Sequence, residues 1–183
     1  MILAKTLRLD EGAKIGHLTV INRLERVHLA RFATIGRSNR VYGRHSGQYP
    51  HSPGRVSSLI LEDNAAITCN HILDCSDTIR LGAFSLVAGW ATQILTHSPD
   101  FERGVQTTKP VHIGAYSFIG SRSVILMGTR VPDKSIVAAG SVFGPLREED
   151  LSPYTLFSGT PAAAVRTLDE DWAFFKRDVG RLP

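Results

Sequence analysis

From position 111 the chain reads VHIGAYSFIGSRSVILMGTRVPDKSIVAAGSVF, and its large apolar residues recur at a strict interval of six: Ile113, Ile119, Ile125, Val131, Val137 and Phe143. Four residues after each of the first five stands a small hydroxyl residue, at Ser117, Ser123, Thr129, Ser135 and Ser141. Small residues also follow several apolar ones directly, at Gly114, Gly120, Ala138 and Gly144. An α-helix would bring its apolar side round about every 3.6 residues, and a half-buried strand would alternate at every second one. A period of six suits a triangular coil of short parallel strands. Each face then contributes one large inward side chain, each corner takes a small residue, and stacked coils line like residues into ladders. The pattern predicts an all-β chain wound as a parallel β-helix.

The repeat extends backwards with slips. Leu61, Ile67 and Leu73 keep step, Leu81 and Val87 resume after a slip of two, and Ile15, Ile21, Val27, Ile35 and Val41 repeat the behaviour upstream. Three stretches break it: 42–58, rich in Gly, Pro, Ser and His; 96–110; and 144–161. Each reads as a loop thrown out of the coil. After them Leu168, Trp172, Phe175 and Val179 fall at helical spacing, with Thr167 and Glu170 as a capping box and Gly180 as a stop. These signals predict a β-helix domain over 1–166 and a short C-terminal α-helix and tail over 167–183.

Composition adds little against this picture. Hydrophobic residues at 43% and charged residues at 21% suit a globular chain, which makes disorder a poor reading. No apolar run approaches the roughly 20 residues of a membrane-spanning helix, and the first ten residues carry Lys5, Arg8 and Asp10 where a signal peptide would be apolar. A cytoplasmic protein without a membrane span is expected. Cys69 and Cys75 lie one hexad apart, hence on different faces, and no disulfide is expected. The net charge of +4 favours anionic small partners, while the absence of a dense Lys/Arg run with interleaved aromatics argues against nucleic acid.

The hexads, the His-bearing segment ILTHSPDF at 94–101 and the closing GTPAAAVR at 159–166 occur in the order found in one enzyme group. Over residues 59–166 the chain resembles the hexapeptide-repeat acyltransferases, in particular the galactoside, maltose and polysaccharide O-acetyltransferases. The resemblance implies a left-handed parallel β-helix, a homotrimer with sites in clefts between prisms, and acetyl-coenzyme A as acyl donor. It implies transfer to a hydroxyl or amino group of a sugar or polysaccharide precursor. A hydroxyl is a weak nucleophile at neutral pH and needs a positioned base, and the resemblance gives that role to His97. Asn70 and Asp74 match acceptor-side residues, with Asp77 competing for the place of Asp74, and Phe118 matches an aromatic near the acyl group. Ser121, Ala139 and Arg166 match donor contacts. The chain departs from the pattern at Gly144-Pro145 and at Ala163, where basic residues are usual; Arg147, Lys176 or Arg177 could substitute. No metal is expected.

Two other readings share the repeat. A γ-carbonic-anhydrase-like metalloenzyme needs three convergent histidines with close spacing, whereas His97 and His112 stand fifteen apart and His112 precedes an inward Ile. A non-catalytic β-helix scaffold has no use for the His97 loop or Asn70. The loop 42–58, with Arg44, His45, Tyr49, His51 and Arg55, is where acceptor choice is expected to lie.

Overall fold

Each hexad becomes one face and one corner of a coil, and successive coils stack in parallel register. The computed structural model describes residues 1–44 and 49–180, so His45 of the acceptor loop lies outside the described residues. β1 (Ile2–Leu9) opens the stack and pairs along the length of β3; the first full coil comprises β2 (Lys14–Ile15) and β3 (Val20–Leu29), the latter running over two faces, and the second comprises β4 (Thr34–Ile35), β5 (Arg40–Gly43) and β6 (Ser58–Leu61). The third holds β7 (Ala66–Ile67), β8 (Ile72–Cys75) and β9 (Ile79–Leu81). The fourth begins with β10 (Leu86–Val87) and β11 (Gln93–Leu95), throws out an antiparallel hairpin of β12 (His97–Asp100) and β13 (Val105–Thr108), and closes with β14 (Val111–Ile113). The fifth is β15 (Phe118–Ile119), β16 (Val124–Ile125) and β17 (Arg130–Val131). β18 (Ile136–Val137) and β19 (Val142–Phe143) start the sixth, and β20 (Thr155–Gly159) with β21 (Ala162–Thr167) ends the stack.

Three faces result. Face one runs β2-β4-β7-β10-β15-β18-β20-β21, and its inward ladder is Ile15, Ile35, Ile67, Val87, Ile119, Val137 and Phe157. Face two stacks Ile21, Val41, Leu73, Ile94, Ile125 and Phe143. Face three stacks Leu29, Leu61, Leu81, Ile113 and Val131. Apart from Ile15, which is partly buried, all of these side chains are buried, and each contributes about 1.5–3 kcal/mol by leaving water. The slips of two have a structural cause. In the first four coils face three is longer and points a second apolar residue inward, at Val27, Leu59, Ile79 and Val111. From the fifth coil that extra residue is gone, and the interval becomes a strict six.

The hydroxyl positions serve the corners, where the chain turns and its carbonyls lose strand partners. Ser123 Oγ donates to the Gly120 carbonyl at 2.9 Å, Ser117 Oγ to Pro132 at 2.6 Å and Ser141 Oγ to Ala138 at 2.7 Å. We name the corners in chain order: corner I between faces one and two, corner II between two and three, corner III between three and one.

The C-terminal segment corrects the expectation. Among the described residues there is no α-helix, and 167–180 contains one 3₁₀ turn, Ala173–Phe175. Thr167, expected to cap a helix, is instead the last residue of β21, and the Leu168 N–H is taken by the Tyr154 carbonyl at 2.6 Å. A segment this short gains little from helix formation alone. It lies as a strap against corner III and face one: Phe174 meets Phe118 edge-on at 6.1 Å, and the buried Arg177 donates to the carbonyls of Phe84 and Phe174. The apolar spacing thus marks packing contacts of an irregular tail. The third excursion also returns earlier than expected, since β20 pairs with β18 from Leu156 onward.

Candidate active site

Both long excursions, 44–57 and the β12–β13 hairpin, leave the prism at corner II, two coils apart. The coil between them turns that corner through Cys75, Ser76, Asp77 and Thr78, all buried or half-buried. Its two carboxylates divide the work. Asp77 accepts from Thr108 Oγ1 at 2.9 Å and from the Thr78 N–H at 2.7 Å, while its own N–H donates to Thr96 Oγ1 at 2.8 Å. Thr96 Oγ1 in turn donates to the Asp74 carbonyl at 2.7 Å. Asp77 therefore holds the base of the hairpin on which His97 is the first residue.

Asp74 sits on β8 directly beside Leu95 of β11, and its carboxylate reaches His97. Asp74 Oδ2 accepts a hydrogen bond from His97 Nδ1. Oδ1 accepts from the Ser76 N–H at 3.0 Å and Ser76 Oγ at 2.6 Å. Burial pushes the Asp74 carboxyl up, but the bonds from His97 and Ser76 outweigh it and hold the group below its ordinary value. Asp74 thus stays ionised and is turned to the His97 imidazole. A carboxylate can only accept, so Nδ1 carries a proton, and it is in the neutral imidazole that Nε2 presents a lone pair.

Behind Asp74 the loop locks on. Tyr49 Oη donates to Ser76 Oγ at 3.3 Å, and the Tyr49 ring lies 6.1 Å from that of His97. Arg55 stacks over Tyr49 at 4.6 Å and donates to the Ser76 carbonyl, and the Thr108 N–H donates to Ser52 Oγ at 2.9 Å. Loop and hairpin are therefore one assembly. In front of His97 lies a cavity of about 380 Å³ lined by Asn22, Arg23, Tyr42, Arg44 and Asp74. Asn22 and Arg23 were not legible as site residues. A signal did exist: Asn22, Tyr42, Asp74 and Leu95 each follow the inward residue of face two and share one register row.

The other expected residues lie elsewhere. Asn70, Ser121 and Ala139 are all at corner I, and Asn70 is an exposed turn residue with φ 57°. Asn70 and Asp74 are four positions apart along the extended chain, about 13 Å along face two, so one protomer does not bring Asn70 to His97. Phe118 faces outward on face one beneath Phe174, and the exposed Arg166 packs over Trp172 at 5.6 Å. At Ala139–Gly140 the corner is exposed, with open space around Gly140, room for an amide-rich chain to lie against the backbone. The cations offered as substitutes are engaged: Arg147 with Glu149 and Asp150, Lys176 with Asp171, Arg177 with backbone carbonyls.

Two further histidines are accounted for. His71 is buried in corner I, accepting from the Thr92 N–H at Nδ1 (3.2 Å) and donating from Nε2 to Thr68 Oγ1 (2.9 Å); burial pushes its pKa down to about 4. His112 points outward on face three, beside Arg80 and Arg130 in the register row. Burial and those two cations lower its pKa. No group of three or more potential metal ligands is found among the described residues.

No protein-family model matches the chain. A Staphylococcus aureus (strain COL) protein, whose own acetyltransferase assignment is provisional, is 32% identical over 79 residues, 42% of this chain and 38% of that one. The galactoside O-acetyltransferase of Escherichia coli K12 is 28% identical over 106 residues, 55% of this chain and 50% of the enzyme. The matched part of the chain thus spans half or less of these relatives' length. Among solved structures, a hexapeptide-repeat containing acetyltransferase of Vibrio cholerae is 27% identical with a TM-score of 0.52, covering 87% of this chain and 75% of that one. The N-acyltransferase AntD of Bacillus cereus, solved with dTDP-4-amino-4,6-dideoxyglucose and coenzyme A, has a TM-score of 0.71 over 88% of this chain and 84% of that one. At 14% identity it bears on the fold alone.

Proposed function

We propose that this chain, whose repeats and fold fit the hexapeptide-repeat acyltransferase family, moves an acyl group from a coenzyme A thioester to a hydroxyl or amine of a saccharide acceptor. The observation that carries the reading is the His97–Asp74 pair facing a polar cavity. Nε2 of His97 takes the acceptor proton as the acceptor oxygen or nitrogen bonds to the thioester carbonyl carbon. Asp74 holds the ring in the productive tautomer and stabilises the imidazolium. The tetrahedral intermediate collapses by breaking the carbon–sulfur bond, and the coenzyme A thiolate recovers the proton from His97.

Donor binding falls to corner I, with Ser121 and the exposed Ala139 backbone along the pantetheine arm, Phe118 near the acyl group and Arg166 toward a phosphate. Because corners I and II stand on opposite sides of face two, a second protomer must bring the donor ridge, with Asn70, to His97. Face two suits such a contact: Ile72, Val124 and Val142 share its outward register row with Gln93. A homotrimer is the assembly proposed, as in the resemblance. No described helix is long and apolar enough to cross a membrane, and a cytoplasmic location follows from the donor proposed. Thiol release from acetyl-coenzyme A across a panel of sugars and amino sugars tests the reading. Light scattering that returned a monomer at micromolar concentration would remove the two-protomer site.

A further inference from the structure

We infer that the acceptor bound at the His97 site is anionic, carrying a phosphate or carboxylate that Arg23 and Arg44 hold. The inference rests on the acyl-transfer reading and adds the chemical class of the acceptor. Both guanidiniums belong to residues lining the cavity in front of His97, Arg23 from corner II of the first coil and Arg44 from just past β5. Neither enters an ion pair with any described residue. Of the exposed arginines on the neighbouring faces and corners, Arg31, Arg80 and Arg130 are paired with Asp63, Glu62 and Glu148, while Arg26 and Arg40 form no ion pair with any described residue but do not line this cavity. Among the described residues lining this cavity the one carboxylate is Asp74, whose oxygens are taken by His97 and Ser76. Glu25, two residues from Arg23, is turned to Lys5 at 3.8 Å and to the Ser57 N–H at 3.3 Å. Two positive charges therefore stand uncompensated beside a base that must be neutral to work.

The backbone fixes the two arginines relative to each other. Arg23 holds a φ of 61°, and its carbonyl lies 2.5 Å from where a Cβ on Gly43 would be, so the first coil's corner is pressed against the strand that leads to Arg44. Planar guanidiniums fork onto phosphate and carboxylate oxygens. A neutral sugar docking here would strip water from both cations without replacing it, which is costly. An anionic acceptor turns the same charges into attraction and orients the reacting hydroxyl or amine toward Nε2.

The test uses the full chain with acetyl-coenzyme A and four acceptors: glucosamine, glucosamine 1-phosphate, a nucleoside-diphosphate amino sugar and galacturonate. At least one charged acceptor should exceed glucosamine about tenfold or more in kcat/KM, and Arg23→Gln and Arg44→Gln should each reduce that preference about tenfold, with Arg23→Lys retaining part of it. The phosphate and carboxylate arms tell which anion is meant. Equal use of charged and neutral acceptors, or an unchanged preference in both glutamine variants while His97→Ala silences transfer, overturns the inference and leaves acyl transfer standing. If no member of the panel is acylated, calorimetric titration with UDP decides: binding that weakens in the variants supports the inference, and no binding to the wild type overturns it. A melting-temperature rise with acetyl-coenzyme A reports separately on acyl transfer, so the two failures are distinguishable.

Discussion

Acid should weaken this fold chiefly through His71, as pH falls from about 6.5 toward 4. The imidazole is 1% exposed and neutral, wedged in a corner-I ladder otherwise filled by Thr19, Asn39, Thr92, Ser123 and Ser141, all buried. Its pKa is about 4 in the folded chain against an ordinary 6.5. The unfolded chain therefore binds a proton first. His71 contributes fully above pH 6.5, loses that contribution as pH falls, and has lost all of it below about 4. The shift corresponds to about 3 kcal/mol, most of which is gone at pH 4.5. Urea unfolding at pH 7 and 4.5, at fixed protomer concentration, should show this loss in the wild type and much less of it in His71→Asn. Asparagine already fills the equivalent slot at Asn39, where it bonds the Gly36 and Thr68 carbonyls, so the variant can fold. Its stability at pH 7 should stay within about 1–2 kcal/mol of the wild type, because Asn39 Oδ1 accepts the His71 N–H at 2.9 Å and an asparagine at 71 can accept the Thr92 N–H in the same way. His112 titrates in the same direction, and His112→Gln serves as control. A His71→Asn protein that loses as much stability as the wild type between the two pH values would refute the assignment.

Ile119→Ala, in the middle of the face-one ladder, should cost about 2–5 kcal/mol in denaturant unfolding, since neighbouring coils fix the backbone and the cavity cannot close. Asp77→Ala should cut the bonds from Thr108 and Thr78 that anchor the hairpin, exposing 97–108 to limited proteolysis while leaving the melting temperature within a few degrees. Asp74→Asn should keep the fold and lower kcat by about 10²–10⁴, because the amide no longer enforces the Nδ1–H tautomer.

The repeat was legible because its physics is local and periodic: one inward residue per face and one hydroxyl per corner leave a period that no helix or simple strand shares. His97 was legible as the residue opening an excursion, whereas the packing of Tyr49 and Arg55 against Ser76 beside it was not. What could not be read depended on distance in space. Asp74 and Asp77 are three residues apart and both acidic, and only the bend of corner II turns one to the imidazole and the other to the hairpin. Asn22 and Arg23 join the site across two coils, through strand register. The C-terminal strap misled because its apolar residues serve unlike contacts at intervals that happen to mimic helical turns: Leu168 is buried just past β21, Trp172 stacks on Phe175 within the strap, and Phe175 meets Tyr154.

The central claim is that His97 is the base that activates the acceptor, and steady-state thiol release in His97→Ala against His112→Ala tests it most directly. His97→Ala should fold, should keep its melting-temperature rise with acetyl-coenzyme A, and should lose about 10²–10⁴-fold in turnover, the usual contribution of a positioned base. His112→Ala, altered on the outward side of face three, should stay within a few-fold of the wild type. Transfer that survives in His97→Ala and disappears in His112→Ala would contradict the account.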